Sequence, residues 1–260
     1  MNPSDPCAAC SWTPERQQHC SYNSYVKLIY EAGDRGENTS IPVPTVLKSW
    51  EEDGHTLILM KCIPGEPLSK AWPRLSTHEK EGIAKQTAEY PLQLGKLQSD
   101  NIQSLGGGPV YSNFLFKNKD FDLPHGPLAS DDELWAHMER GLNEAITETV
   151  RIRLRHRMPP ATPYTFTHGD LTNVNVMVEN ESLIGIVDWE TSGYFPVWWE
   201  YVYTSVADSE KDREWKTLLR KHMPDYNNAR EFWLYYYYLC RSLEHERARK
   251  FIEETESSHV

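Results

Sequence analysis

The chain reads THGDLTNVN over residues 167–175 and IVDWE over residues 186–190, and these two stretches decide its fold. Within them, Asp170, Asn175 and Asp188 bring two carboxylates and an amide close together in the sequence. Phosphoryl transfer needs magnesium on the nucleotide phosphates, oxygen ligands to hold the ion, and a carboxylate beside the attacking hydroxyl. These three side chains are a sufficient protein contribution, so the spacing predicts a phosphoryl-transfer site.

The residues between the two stretches predict a β-hairpin. Valines occupy alternate positions from 174 to 178, residues 179–182 have the composition of a turn, and residues 183–187 form a short apolar run. Asn175 would then begin one strand and Asp188 would end the other, so both side chains can reach one cation. The alternative interpretation is an ordinary hairpin with acidic ends, because His-Gly-Asp alone is a common tripeptide.

Four residues also follow the order and spacing of the protein-kinase catalytic loop and its metal-binding aspartate, namely His168, Asp170, Asn175 and Asp188. The sequence resembles the aminoglycoside phosphotransferase and choline kinase-like family, whose catalytic loop reads His-Gly-Asp-Leu followed by Asn. Shorter matches are TSIPVP at residues 39–44, IPGEPL at 63–68 and SLGGGPV at 104–110. The resemblance therefore extends from about residue 25 to about residue 250.

The resemblance implies an α+β, two-lobed protein kinase-like fold with a small β-sheet lobe and a larger, mainly helical lobe. We accordingly expect a poorly ordered or divergent segment at residues 1–24, a reduced N-terminal lobe at 25–62 and a helical C-terminal lobe at 63–260. The resemblance further implies ATP and Mg²⁺ as cofactors and a small-molecule hydroxyl as acceptor.

The same resemblance and the charge of the residues suggest a role for each site residue. Asp170 is expected to be the catalytic base that accepts or orients the proton of the acceptor hydroxyl. Asn175 and Asp188 are expected to bind the metal and, through it, the nucleotide. His168 belongs to the catalytic loop and is expected to brace it and hold Asp170 still. Glu200 is expected to hydrogen-bond backbone below the loop.

The amino-terminal part departs from the family pattern. Lys27 is the expected phosphate-binding lysine. Met60, just before a hinge at residues 61–65, and Cys62, within that hinge, are expected to contact the nucleotide. Yet the first 32 residues contain no glycine for a phosphate-covering loop. Two hypotheses therefore stay open, an active phosphotransferase and a kinase-like binding protein that transfers phosphate slowly or not at all. Lys27 could also be a simple surface lysine.

Composition limits the kinds of partner. A chain of 260 residues with 39% hydrophobic content can form one large or two small domains. Its net charge of −11 argues against nucleic acid and mildly favours a cationic small molecule. The sequence has no apolar run of membrane-spanning length and no secretory signal, so we expect a cytoplasmic protein without a membrane partner. The oligomeric state stays undecided.

Three further local patterns yield expectations. Cys7, Cys10 and Cys20, with His19, have spacing that can bind zinc, but free thiols are the expected state near a terminus. A capping box at Ser76 predicts the start of a helix. Residues 131–157 are expected to form one charged amphipathic helix, whose basic end suits a helix C-terminus.

Overall fold

The computed structural model describes residues 40–52, 55–117 and 123–257. These residues divide into two compact units. The first unit takes the described residues of Met1–Leu94, Asp170–Ser192 and Val206–Met223. The second unit takes those of Gly95–Gly169, Gly193–Ser205 and Pro224–Val260. Lys27 and the three amino-terminal cysteines lie outside the described residues, so the predictions made for them stay predictions.

The described chain combines short strands with helices, which confirms the predicted α+β class. The strands are β1 (Val46–Glu52), β2 (His55–Met60), β3 (Glu66–Pro67), β4 (Gln98–Ser99), β5 (Tyr164–Thr167), β6 (Val176–Glu179), β7 (Ser182–Ile186) and β8 (Gly193–Pro196). The α-helices are α1 (Leu68–Ala71), α2 (Thr77–Leu94), α3 (Asp131–Glu139), α4 (Glu148–Arg157), α5 (Trp199–Tyr203), α6 (Glu210–Arg220), α7 (Asn227–Arg241) and α8 (Glu246–Ser257). In these parts of the chain, no helix has both the length and the apolar character to cross a membrane.

The first unit contains the predicted hairpin. Strands β6 and β7 pair antiparallel, with Val176 opposite Ile186, and β3 pairs along the other edge of β6. Asn180 and Glu181 at the turn have positive φ angles of 47° and 64°, which is the backbone of a tight two-residue hairpin turn. The hairpin inferred from alternating valines and a polar turn is therefore confirmed.

The first unit also contains the predicted helix start. The backbone N–H of Glu79 donates to the Ser76 hydroxyl (3.3 Å), and the Ser76 N–H donates to the Glu79 carboxylate (2.5 Å). These two bonds form a capping box, which satisfies donors that a helix terminus leaves unpaired. Helix α2 then continues to Leu94 and supports the hairpin, since Gln86 accepts the N–H of Leu183 (3.0 Å).

The second unit is built around aromatic side chains. Strands β4, β5 and β8 form an antiparallel sheet in the order β4-β5-β8. Helix α7 buries Phe232, Trp233 and Tyr236, and the rings of Trp199 and Trp233 meet edge to face at 6.1 Å. Edge-to-face pairs add to the free energy already gained by burying the rings. Helix α7 therefore contributes aromatic side chains to the core of this unit.

The prediction of a single helix over residues 131–157 is wrong, because the chain forms α3 and α4 with a turn between them. Gly141 lies in the turn, and a Cβ atom at this position would come within 1.9 Å of the Lys117 carbonyl oxygen. The turn thus packs against a distant segment that leaves no room for a side chain. The basic end of α4 is tied into its own unit, since Arg155 pairs with Asp132 at 2.7 Å and Arg157 lies over the Tyr235 ring.

Candidate functional site

The loop that joins β5 to β6 contains Asp170 and Asn175. Within the first unit, Thr172 N–H donates to the Asp170 carbonyl (2.8 Å) and Asn175 N–H donates to the Thr172 carbonyl (3.1 Å), which folds the loop tightly. The Asn175 side-chain amide donates to the Asp170 carbonyl (3.0 Å) and to the Asp170 carboxylate (2.9 Å). Asn175 itself is buried. The carboxylate and the amide predicted from sequence are therefore in direct contact.

Asp188 follows strand β7 in a conformation that few residues adopt. Its φ angle is +65°, a left-handed backbone that is strained for residues other than glycine and is often found at functional sites. The N–H of the preceding residue, Val187, donates to the Asn175 carbonyl (2.9 Å), which ties the end of the hairpin to the loop. The strained residue is thus held beside the loop by a backbone hydrogen bond.

One oxygen of Asp188 has a property expected of a metal ligand. Its Oδ1 atom is buried and has no hydrogen-bond partner within the described part of the chain. Buried polar atoms are nearly always paired, since desolvating them without a partner costs free energy. Burial and the nearby Glu190 carboxylate raise the pKa of Asp188 from 3.8 to about 6. A cation would supply the missing partner and favour the charged carboxylate.

Glu190 is a further acidic residue to which sequence interpretation gave no role. Desolvation of its carboxyl group by the surrounding protein and the nearby Asp170 carboxylate raise the pKa of Glu190. The charge of Glu190 therefore interacts electrostatically with those of Asp170 and Asp188, and we refer to the three residues as the acidic cluster. Its position two residues after Asp188 is visible in the sequence, but spacing alone does not show which acids lie together.

The donor set of this cluster suits magnesium. No group of three or more His, Cys, Asp or Glu side chains with metal-binding geometry occurs among the described residues. Magnesium needs only one or two protein carboxylates because it keeps several waters and shares phosphate oxygens. Asp188 Oδ1, which no described residue hydrogen-bonds, and the amide oxygen of Asn175 match that modest requirement.

In the second unit, Glu200 holds the start of the loop. Its buried carboxylate accepts the N–H of His168 (2.6 Å), and its two oxygens accept the N–H of Gly169 (3.3 and 3.4 Å). Gly169 has a φ angle of +81°, which favours glycine over residues with a Cβ atom. The backbone contact predicted for Glu200 is therefore confirmed. His168 is fully buried, and its bracing role stays a prediction.

The residues predicted to contact the nucleotide are only partly placed by the structure. Met60 is half-buried at the end of β2, where it pairs with Val46. Cys62 is exposed in the segment that leads to β3. Gly65 closes this segment with a φ angle of +88°, and a Cβ atom there would lie 2.3 Å from the Val178 carbonyl. Contacts of Met60 and Cys62 with a nucleotide stay predictions.

Solved structures share this fold at low sequence identity. ADP-bound aminoglycoside phosphotransferase APH(2'')-Ib is 15% identical over 89% of this chain and 79% of its own, with a TM-score of 0.53. The gentamicin complex of APH(2")-IIa is 18% identical over 90% and 78%, with a TM-score of 0.51. APH(4)-Ia is 12% identical over 90% and 82%, with a TM-score of 0.54. No curated protein matches the sequence.

A family model gives the more direct result. Residues 27–232 match the model described as the phosphotransferase enzyme family, APH. The match includes the catalytic loop, the hairpin and Asp188, and it agrees with the kinase-like fold of the solved structures. The resemblance inferred from the catalytic loop is thus confirmed, and the chain belongs to the phosphotransferase enzyme family.

Proposed function

We propose that the protein transfers the γ-phosphoryl group of ATP to a hydroxyl group of a small molecule. The observation that carries this proposal is the contact between the Asp170 carboxylate and the Asn175 amide, and the buried Asp188 Oδ1, which has no hydrogen-bond partner among the described residues, supports it. Family membership supports the same reaction class. A carboxylate beside a cation site is the arrangement that phosphoryl transfer requires.

Each site residue of the first unit then has a chemical role. Asp170 orients the acceptor hydroxyl and accepts its proton, while the Asn175 amide fixes the direction of the Asp170 carboxylate. Asp188 and Asn175 would hold Mg²⁺, which when bound offsets the negative charge of the phosphates. In the second unit, His168 and Glu200 hold the start of the loop in place.

The nucleotide-binding roles belong to the same proposal. Lys27 would contact the phosphates, and Met60 and Cys62 would lie against the nucleotide where β2 leads into the hinge segment. These assignments follow the order of the family motifs along the sequence. Substituting Lys27 by Ala and measuring the KM for ATP tests the first of them, because loss of a phosphate contact raises that constant.

The acidic cluster favours a cationic acceptor. Negative charge is concentrated in the first unit on Asp170, Asp188 and Glu190. Such a concentration of negative side chains raises the local concentration of cationic molecules. Gentamicin and hygromycin B, present in structures of similar fold, are therefore sensible first members of a screen. The screen should include other amino alcohols and sugars, because one fold can serve many substrates.

The substitution Asp170→Asn tests the proposal. It keeps the shape of the side chain but removes the proton acceptor, so ADP release with an acceptor should fall about 10²- to 10⁴-fold. Asp208→Asn, at an exposed position of the same unit, is the matched control and should keep wild-type turnover. Equal turnover in the two variants would contradict the role of Asp170.

A second candidate function is a kinase-like binding protein. The observation that favours it is the lack of glycine in the first 32 residues, where the family places a phosphate-covering loop. Thermal unfolding with and without Mg-ATP separates the two functions, because a ligand that binds the native state raises the melting temperature. A shift with Mg-ATP together with product of increased mass supports the transferase. No shift at millimolar nucleotide supports the binding protein.

A further inference from the structure

Helix α6, in the first unit, carries an almost fully buried pair of opposite charges. Asp212 and Lys216 expose only 2% and 1% of their surfaces, and Lys216 Nζ lies 3.1 Å from Asp212 Oδ2. Removing two charges from water is costly, and apolar residues of similar volume often give equal or greater stability. Fold stability alone therefore does not account for this pair.

The carboxylate of the pair binds the catalytic loop. Asp212 Oδ1 accepts the backbone N–H of Asn173 at 2.9 Å. Ser209 caps the helix by accepting the N–H of Asp212 (3.2 Å), and an acid at this third position can reach back to the cap in a capping box. Here the acid instead reaches the loop, three residues after Asp170 and two before Asn175.

Neighbouring groups bind Leu171 and Asn173 of the same loop. The buried indole of Trp215 donates to the Leu171 carbonyl (3.0 Å), and the N–H of Ser69 donates to the Asn173 carbonyl (2.8 Å). Both backbone polar groups of Asn173 are thus bound. Residues 171–173 connect Asp170 to Asn175, so fixing them fixes the relative position of the two site residues.

Lys216 pairs with the carboxylate of Asp212 by charge, since Asp212 Oδ2 has no hydrogen-bond partner among the described residues. Its ammonium donates to the Val206 carbonyl (2.7 Å) while it pairs with Asp212. Lys216 also balances the charge of Asp212, so the carboxylate can face the loop from the interior without an uncompensated buried charge. A charged acceptor makes a stronger hydrogen bond to a backbone N–H than a neutral one.

We propose that Asp212 and Lys216 are positioning residues for phosphoryl transfer. They hold the backbone at Asn173 so that Asp170 and Asn175 keep the mutual contact that catalysis needs. The inference rests on the proposed function, but it assigns a purpose to residues outside the catalytic motif. A displacement of about 1 Å at a reacting group can lower turnover by about 10²-fold, so rigid support of the loop has a measurable consequence.

Two double variants without the buried charges test the proposal. Asp212→Asn with Lys216→Met keeps an oxygen acceptor for the Asn173 N–H, whereas Asp212→Leu with Lys216→Met removes it. Both remove the ion pair, so their melting temperatures should lie within a few degrees of each other. We expect kcat to fall about 10- to 100-fold in the leucine variant, with little change in the KM for ATP, and to recover to within about threefold in the asparagine variant.

Hydrogen exchange at the Asn173 amide gives a readout that does not depend on activity. The amide should exchange at least about tenfold faster in the leucine variant than in the asparagine variant, because only the former lacks the acceptor. Replacing Glu210 and Arg213, an exposed pair on the same helix, by glutamines should change neither quantity. Equal exchange and equal kcat in the two double variants would overturn the proposal.

Failure of the proposed function and failure of the positioning role give different results. Wild-type protein that releases no ADP with any acceptor counts against the proposed function, whereas faster Asn173 exchange would still show that Asp212 holds the loop. Should the leucine variant fail to fold, Asp212→Ala with Lys216→Met replaces it, because the smaller side chain also removes the acceptor of the Asn173 N–H. Unchanged kcat and unchanged Asn173 exchange in that variant would overturn the positioning role of Asp212.

Discussion

Two hairpins of the first unit look alike in sequence but differ in their surroundings. Strands β1 and β2 pair only with each other among the described residues, and Leu47 and Leu59 are 60% and 51% exposed. Strands β6 and β7 belong to a three-stranded sheet, and Val176 and Ile186 are 0% and 1% exposed. The difference shows that pairing alone does not make a hairpin rigid.

The buried hairpin is the one that carries site residues. Asn175 precedes β6, Asp188 follows β7, and the sheet holds both ends at a fixed separation. Elements with many buried apolar contacts open only with the whole fold, whereas exposed elements open locally at lower cost. We therefore expect substitutions in the β6–β7 hairpin to affect function and stability far more than equivalent ones in the β1–β2 hairpin.

The largest expected effect comes from Asp188→Asn. The amide is neutral and binds a cation more weakly, so ADP release should fall by about three orders of magnitude. The thermal shift produced by Mg-ATP should shrink in parallel. Glu52→Gln, an acid-to-amide change in the exposed hairpin, is the control and should leave turnover unchanged. Comparable losses in both variants would show that the two hairpins do not differ in function.

A stability comparison tests the difference in burial directly. Ile186→Ala should lower the free energy of unfolding by about 2–4 kcal/mol, because it leaves a cavity in a packed sheet. Leu59→Ala should lower it by less than about 0.5 kcal/mol, since the side chain is already largely exposed. Urea unfolding of both variants measures these changes, and equal losses would refute the distinction.

The charge on Asp188 makes the buried hairpin sensitive to pH in metal-free protein. Its pKa is about 6 when folded and 3.8 as an ordinary carboxyl, so the native state binds the proton more tightly than the unfolded chain. The protonated Asp188 side chain therefore adds to the free energy of unfolding. This contribution is fully present below about pH 4 and is lost as the pH rises through 6.

At pH 8 in a chelating buffer, the free energy of unfolding of Asp188→Asn should therefore exceed that of the wild type by about 1–3 kcal/mol. Urea unfolding of both proteins measures this difference. The advantage should disappear at pH 4, where both side chains are neutral. An advantage that is the same at pH 4 and pH 8 would assign the effect to packing rather than to charge.

The smallest effect concerns the turn of the buried hairpin. Glu181 has a φ angle of 64° and lies near Glu79, whose carboxylate raises the pKa of Glu181. Glu181→Gly should stabilise the protein by about 0.5–1 kcal/mol, because glycine adopts this backbone without strain. Asn180→Gly should gain less, since asparagine already tolerates a left-handed conformation. A loss of stability in Glu181→Gly would contradict the strain argument.

Local signals in the sequence account for the predictions that were confirmed. The capping box at Ser76 and the hairpin around residues 176–186 depend on side chains a few positions apart. The single helix predicted over residues 131–157 failed because Gly141 packs against Lys117, a residue 24 positions earlier in the chain. Periodicity along one segment contains no information about such a contact.

The sequence by itself determined the family, because the spacing of Asp170, Asn175 and Asp188 along a loop and a hairpin is a local property of the chain. Only the tertiary structure decided that Asp188 Oδ1 is buried with no hydrogen-bond partner in the described part of the chain, that Glu190 belongs to the acidic cluster, and that Asp212 binds the loop. Burial and electrostatic proximity depend on segments that are distant in sequence, so they exist only once the chain has folded.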